Sequence, residues 1–171
     1  MLPDATSASL VLRPVNDADS DFLLQLYAST RADEMALVDW SEQQKFEFLH
    51  MQFNAQSSYY FEQFAAASFD VIELDGKPVG RLYVDERADE LRVIDIALMP
   101  EFRQQGIGAY YMQSILDRAA ASGRAVGIHV EKNNPAMRLY DRLGFEQIED
   151  KGVYWFMRCK PAKADQEKTA S

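Results

Sequence analysis

The residues best suited to chemistry lie where an apolar run gives way to a pair of glycines. Residues 94–99 are apolar apart from Asp95, Pro100 follows, and residues 103–108 read Arg-x-x-Gly-x-Gly ahead of a long helical pattern. Backbone N–H groups in such a turn, together with the positive end of a helix dipole, bind anions with little help from charged side chains. The pattern therefore predicts a ligand that carries phosphate groups.

A second block lies further along the chain. It contains a strand pattern through His129, an Asn-Asn-Pro sequence at 133–135, a helical pattern that includes Tyr140, and a Gly-Phe pair at 144–145. Together the two blocks resemble the GNAT superfamily of acyl-CoA-dependent N-acetyltransferases. The resemblance covers residues 70–159 closely and residues 10–30 more loosely.

The resemblance implies that acetyl-CoA is the acyl donor and that the first block holds it. The amides from Gln104 to Gly108 would face the CoA pyrophosphate, and the glycines allow a close backbone approach. The exposed backbone of residues 96–98 would lie along the pantetheine arm, where a strand N–H supports the developing oxyanion. The donor-binding residues implied are Ile96, Ala97, Leu98, Arg103, Gln104, Gln105, Gly106, Ile107, Gly108, Asn133, Asn134 and Ala136.

This chain departs from the common family pattern in the phosphate loop. A glycine usually follows the arginine and a basic residue often precedes the first motif glycine, but Gln104 and Gln105 stand there. We therefore expect a functional but weaker donor site. Two asparagines could correspond to the one that the family usually carries in the second block. The spacing to Tyr140 fits Asn133, whereas Asn134 precedes a proline and is the better helix cap.

Tyr140 occupies the position where the family often has a tyrosine directed at the thioester sulfur. A phenol, with a pKa near 10, can protonate a departing thiolate, whose pKa is about 8.5. The identity of the general base stays open. Asp95 is the first choice, because strand alternation separates it from its apolar neighbours; His129, Glu131 and a water chain are alternatives, and the position where several family members carry a glutamate is Arg92.

These residues need strands and helices to position them. The patterns predict strands at 10–14, 69–74, 78–84, 90–99, 126–130, 146–149 and 153–159, and helices after Asp17 or Asp19, after Ser41, at 106–122 and at 135–143. Asp75-Gly76 marks a hairpin, and Gly123 and Gly144 end helices. The fold class predicted is α/β (α+β), with a mixed, largely antiparallel sheet of six to seven strands and helices on both faces.

The helix after Ser41 carries an aromatic stripe and begins with a capping box, Ser-Glu-Gln-Gln. A break is expected near residues 54–58. Core packing explains the stripe most simply, and an acceptor pocket or a dimer face are the alternatives. In the GNAT superfamily this region, between the first two strands, commonly forms a wall of the acceptor site.

Composition limits the class of protein. The 171 residues are 47% hydrophobic and 26% charged, which favours a single soluble domain over residues 1–160 with a polar tail at 161–171. The net charge of −9 argues against a nucleic-acid or anionic-membrane binder, and neither a membrane span nor a secretory signal is evident. A single cysteine, Cys159, cannot form an internal disulfide, so a reducing cytoplasm is expected.

The function predicted is acetyl transfer from acetyl-CoA to a primary amine by direct attack in a ternary complex. A small molecule or an amino acid is favoured over a protein as acceptor, and a homodimer is possible. The alternative is a GNAT-like module that senses acyl-CoA without turnover. A dinucleotide site would need a third glycine where Tyr111 stands, and a zinc deaminase would need a Pro-Cys-x-x-Cys that the chain lacks, so no metal is expected.

Overall fold

The computed structural model describes residues 9–161, so nearly all of the predicted tail lies outside the described residues. The strands are β1 (Leu10–Pro14), β2 (Ser68–Leu74), β3 (Lys77–Glu86), β4 (Glu90–Leu98), β5 (Ala125–Glu131), β6 (Glu146–Lys151) and β7 (Tyr154–Cys159). The helices are α1 (Ser20–Thr30), α2 (Ala32–Ala36), α3 (Glu42–Gln63), α4 (Ile107–Ala121) and α5 (Met137–Arg142). In this part of the chain no helix is both long enough and apolar enough to cross a bilayer.

The strands form one seven-stranded sheet in the order β1-β2-β3-β4-β5-β7-β6. Among the described strands only the β4–β5 pair is parallel, and its crossover connection contains α4. The β2–β3 hairpin turns through Asp75 and Gly76, whose φ angles of 53° and 80° suit a tight two-residue turn. The predicted fold class is confirmed.

Helices cover both faces of the sheet. On the first face, hereafter the α4 face, buried residues of neighbouring strands such as Leu82, Val93 and Ile128 join Met112 and Ile115 of α4 in the larger core. On the opposite face, the α3 face, Leu23 of α1 and Phe53 of α3 form a smaller core with Tyr27. Each strand can serve both cores because its side chains alternate between the two faces.

Strands β4 and β5 diverge part-way along their length. The β3–β4 register skips one residue at Ile94, which is a β-bulge, and the β4–β5 pairing ends at Val93 and Ile128. A bulge bends its strand, so β4 turns away from its parallel neighbour. Within the described residues, the backbone of positions 94–98 has no β5 partner, and we call this opening the fork.

Three predictions about α3 are tested by the structure. The capping box is confirmed, because the Ser41 side chain accepts from the Gln44 amide and the Gln44 side chain accepts from the Ser41 amide. The expected break near residues 54–58 is wrong, since α3 runs unbroken from Glu42 to Gln63. Core packing of the stripe is confirmed in part: Phe53 is buried and Leu49 packs against the same small core, whereas Phe46 is 54% exposed.

The caps of two other helices differ from expectation. Neither Asp17 nor Asp19 caps α1 with its side chain; Asn16 caps a short 3₁₀ turn before it, and Asp19 instead binds Arg13. Helix α5 begins at Met137 rather than at Pro135, because the Asn134 side chain accepts from the Ala136 amide at 2.8 Å and holds a turn there.

Candidate active site

The predicted phosphate loop leads directly into α4. Gly106 stands at the N-cap in a left-handed conformation with φ 86°, and no side chain caps the first turn. The first amides of a helix have no intrahelical acceptor, so those of Ile107 and Gly108 are available to an anion together with the positive end of the helix dipole. The local backbone is therefore suited to bind a phosphate.

Side chains add little positive charge to this loop. The Arg103 guanidinium donates to the Leu98 carbonyl at 2.9 Å and to the Ser29 hydroxyl at 3.2 Å, so it joins the end of β4 to α1. The Gln105 side chain donates to the Glu101 carbonyl, and Gln104 is exposed with φ 60°. The anion site thus depends on backbone dipoles.

The fork lies beside this loop. Residues 94–98 of β4 are only half-buried, whereas Leu91 and Val93 are almost fully buried. The N–H and C=O groups of residues 94–97 that are not bonded to β3 can bond to an extended ligand that contains amides, whereas the Leu98 carbonyl accepts from Arg103. Gly80 of β3 supports this segment closely, because a methyl group there would overlap the Ala97 carbonyl oxygen.

Tyr140 of α5 is 4% exposed, and its ring packs edge-on against Phe145 with centroids 5.7 Å apart. Burial, and next the charge of Asp95, raise the pKa of the Tyr140 phenol to about 12. The structure therefore brings Tyr140 within electrostatic reach of Asp95, although the two residues lie on different elements. The phenol stays protonated throughout the physiological pH range.

Asp95 forms an ion pair with Arg81 of β3. The Arg81 guanidinium also donates to the Gln56 side chain at 2.9 Å and lies over the Tyr83 ring, 4.9 Å from its centroid. Burial acts to lower the pKa of Arg81, but Asp95, Tyr83 and Tyr60 together raise it above its ordinary value, so the guanidinium remains charged. Sequence reasoning missed Arg81, because a lone arginine in a strand pattern carries no signal for a buried pair.

The sequence of this site also identifies its family. The profile of the acetyltransferase (GNAT) family matches residues 33–145. The chain belongs to the GNAT family. An uncharacterized N-acetyltransferase from Methanocaldococcus jannaschii is 34% identical over 91 residues, which are 47% of this chain and 40% of that protein. An N-alpha-acetyltransferase from Sulfurisphaera tokodaii is 28% identical over 100 residues, 48% of this chain and 59% of that protein. The match spans less than two thirds of either relative.

Solved GNAT structures share the fold. An N-acetyltransferase named PaiA from Thermoplasma acidophilum, in complex with coenzyme A, superposes with a TM-score of 0.67 at 16% identity, over 89% of this chain and 99% of that one. Arabidopsis thaliana Naa50, in complex with the bisubstrate analogue CoA-Ac-MVNAL, superposes with a TM-score of 0.57 at 16% identity, over 88% of this chain and 97% of that one. At these identities the likeness shows the GNAT fold alone.

The other base candidates of this GNAT chain have separate surroundings. Glu131 pairs with Arg31, which lies at the end of α1, at 3.2 Å. His129 is exposed and its ring lies 5.0 Å from that of Phe156. Burial, and next Arg92, lower the pKa of His129, so its imidazole is neutral at neutral pH. Of these candidates, Asp95 is the one whose charge acts on Tyr140.

The two asparagines differ in their hydrogen bonds. The Asn134 side chain is occupied by the Ala136 amide, whereas Asn133 is exposed and makes no side-chain hydrogen bond to another described residue. Asn133 therefore has its amide free for a ligand. Coenzyme A fits this GNAT chain in two respects: an uncapped helix start for its phosphates and an unpaired strand edge for its pantetheine amides.

Proposed function

We propose that this GNAT chain transfers an acetyl group from acetyl-CoA to the primary amine of a small molecule or an amino acid, by direct attack in a ternary complex. The observation that carries the proposal is the meeting of the fork, the uncapped start of α4 and the Tyr140–Asp95 pair at one place. Acetyltransferase names among the relatives support the same reaction class.

The donor would be held mainly by backbone. The amides from Gln104 to Gly108 would bind the pyrophosphate, the edge formed by Ile96, Ala97 and Leu98 would bind pantetheine, and Asn133 would contact the arm. Ile107, Arg103 and Ala136 would act by shaping these segments. A strand N–H at the fork would stabilise the tetrahedral oxyanion, and positioning would supply most of the rate.

The bond changes balance without a covalent intermediate. The amine nitrogen attacks the thioester carbonyl, the C–N bond forms and the C–S bond breaks, and Asp95 accepts the amine proton directly or through water. Transferring a proton from a phenol of pKa about 12 to a thiolate of about 8.5 would cost roughly 5 kcal/mol. Tyr140 therefore acts first as a hydrogen-bond donor to the leaving sulfur.

Asp95 and Tyr140 would work together. Once Asp95 holds the amine proton, its charge no longer raises the pKa of the phenol, so Tyr140 becomes a better acid when the thiolate leaves. The acceptor would enter on the α3 face, where Gln56 and Tyr60 of α3 form a wall beside Asp95.

A thiol-release assay with acetyl-CoA tests this function against a panel of amines, amino acids and peptides with free N-termini. Replacing Tyr140 by Phe should lower kcat by roughly 10²-fold, whereas Tyr59→Phe, at an exposed tyrosine of α3, should leave it unchanged. Acetyl-CoA binding without turnover on any acceptor would instead favour the sensor module. Absence of acetyl-CoA binding would overturn the donor site itself.

A further inference from the structure

The ion pair between Arg81 and Asp95 is more than a stabilising contact. Arg81 is 3% exposed in the middle of the sheet, and it is held on three sides by Gln56, Tyr83 and Asp95. Its Nε is buried and makes no hydrogen bond to any described residue. Because a buried ion pair rarely stabilises a fold more than packed apolar side chains would, stability alone does not explain this arginine.

The two partners differ in accessibility. The Arg81 side chain is 4% exposed and the Asp95 side chain 24%, so only the carboxylate end of the pair can be reached from outside. A ligand at this place therefore contacts an acid whose countercharge is hidden behind it. Such a group suits a cation that can donate hydrogen bonds, as a primary ammonium does.

The surroundings of Asp95 come from three other elements. Arg81 and Tyr83 approach from β3, Tyr60 from α3 and Tyr140 from α5. All the phenols among them are neutral, because burial and next the Asp95 charge raise the pKa values of Tyr60 and Tyr140. Among the described residues, Arg81 is thus the cation that forms an ion pair with Asp95.

We propose that Arg81 is a positioning residue of the acceptor site, which keeps the Asp95 carboxylate aimed at the amino group of the acceptor. This inference rests on the proposed transferase function. Arg81 itself exchanges no proton and does not touch the acceptor. Gln56 of α3 accepts a hydrogen bond from Arg81, and Arg81 in turn pairs with Asp95. Helix α3 therefore helps to fix the position of the Asp95 carboxylate through Arg81.

Steady-state kinetics of Arg81→Met and Arg81→Lys test the proposal. Arg81→Met should raise the KM for the amine at least tenfold and leave the KM for acetyl-CoA within twofold, and Arg81→Lys should restore most of the amine affinity. The matched control is Arg124→Met. Arg124 also pairs with an acid of β3, Glu86, at 2.9 Å, and its other hydrogen bonds go to Ser122 and the Arg87 carbonyl rather than to this cluster.

The outcomes separate the two proposals. If Arg81→Met does not fold, Gln56→Leu removes the α3 anchor alone and should raise the amine KM about threefold. An unchanged amine KM in the folded variants, or equal changes in both KM values that Arg81→Lys does not reverse, would overturn the role of Arg81 while the transferase stands. Absence of turnover by the native chain would overturn both.

Discussion

The phosphate loop contains a backbone conformation that its side chain does not favour. Gln104 has a φ of 60°, in the left-handed region, and its exposed side chain makes no hydrogen bond to another described residue. Glycine adopts this region without a steric penalty. We therefore expect Gln104→Gly to stabilise the protein although it removes a side chain.

The magnitude follows from two opposing terms. A left-handed conformation costs an ordinary residue about 1–2 kcal/mol, and glycine loses about 0.5–1 kcal/mol more conformational entropy on folding. The net gain for Gln104→Gly is roughly 0.5–1 kcal/mol. For a chain of this size, that gain raises the Tm by about 1–4 °C.

Two control variants make the test specific. Gln105→Gly, at the next residue, relieves no positive φ and removes the hydrogen bond to Glu101, so it should lower the Tm. Asp75 is the other non-glycine residue with a positive φ in the described chain. Asp75→Gly should raise the Tm by less than Gln104→Gly does, because aspartate tolerates the left-handed region better than glutamine. Calorimetry measures all three. Equal losses for Gln104→Gly and Gln105→Gly would refute the strain argument.

Four further outcomes follow from the structure. Gly80→Ala should destabilise by about 1–3 kcal/mol in urea and raise the KM for acetyl-CoA, because its methyl group displaces β4 at the fork. Because the pKa of Tyr140 is about 12, kcat should show no alkaline loss from this phenol up to pH 10 in a pH–rate profile. Cys159→Ala should leave turnover unchanged, since burial raises the pKa of this thiol and direct attack needs no cysteine. The hydrogen bond from Arg13 lowers the pKa of Asp19, so this ion pair stabilises the fold above about pH 4 and stops doing so as the carboxyl group protonates. Asp19→Asn should therefore lower the free energy of unfolding by roughly 1–3 kcal/mol at pH 7 and by much less at pH 2, as measured by urea denaturation.

The sequence predicted best where a residue type has one structural use. Asp75-Gly76 requires a tight turn, Gly123 has a φ of 68° just past α4, and Ser41 with Gln44 forms a capping box; all three are present as expected. The seven strands appear within a few residues of their predicted bounds, because apolar runs between turn residues mark most of them.

Expectations failed where several local arrangements compete. Asn134 precedes a proline and suits a helix cap, yet its side chain forms a tighter turn and α5 starts later. Phe46 fits a helical core stripe but faces outward, since α3 buries only part of its circumference. The partner of Asp95 could not be predicted, because no local pattern shows which distant residue a strand acid will meet.

The fork has a consequence for how long the protein survives in a cell. Its unpaired backbone groups can be satisfied by water when it is empty. Acetyl-CoA, which we propose as its ligand, would bind the folded chain only. At a donor concentration 100 times its Kd, such binding adds about 2.7 kcal/mol to the free energy of unfolding. Proteases that attack the unfolded chain would then find roughly a hundredfold less of it, so its degradation rate should follow the supply of acetyl-CoA.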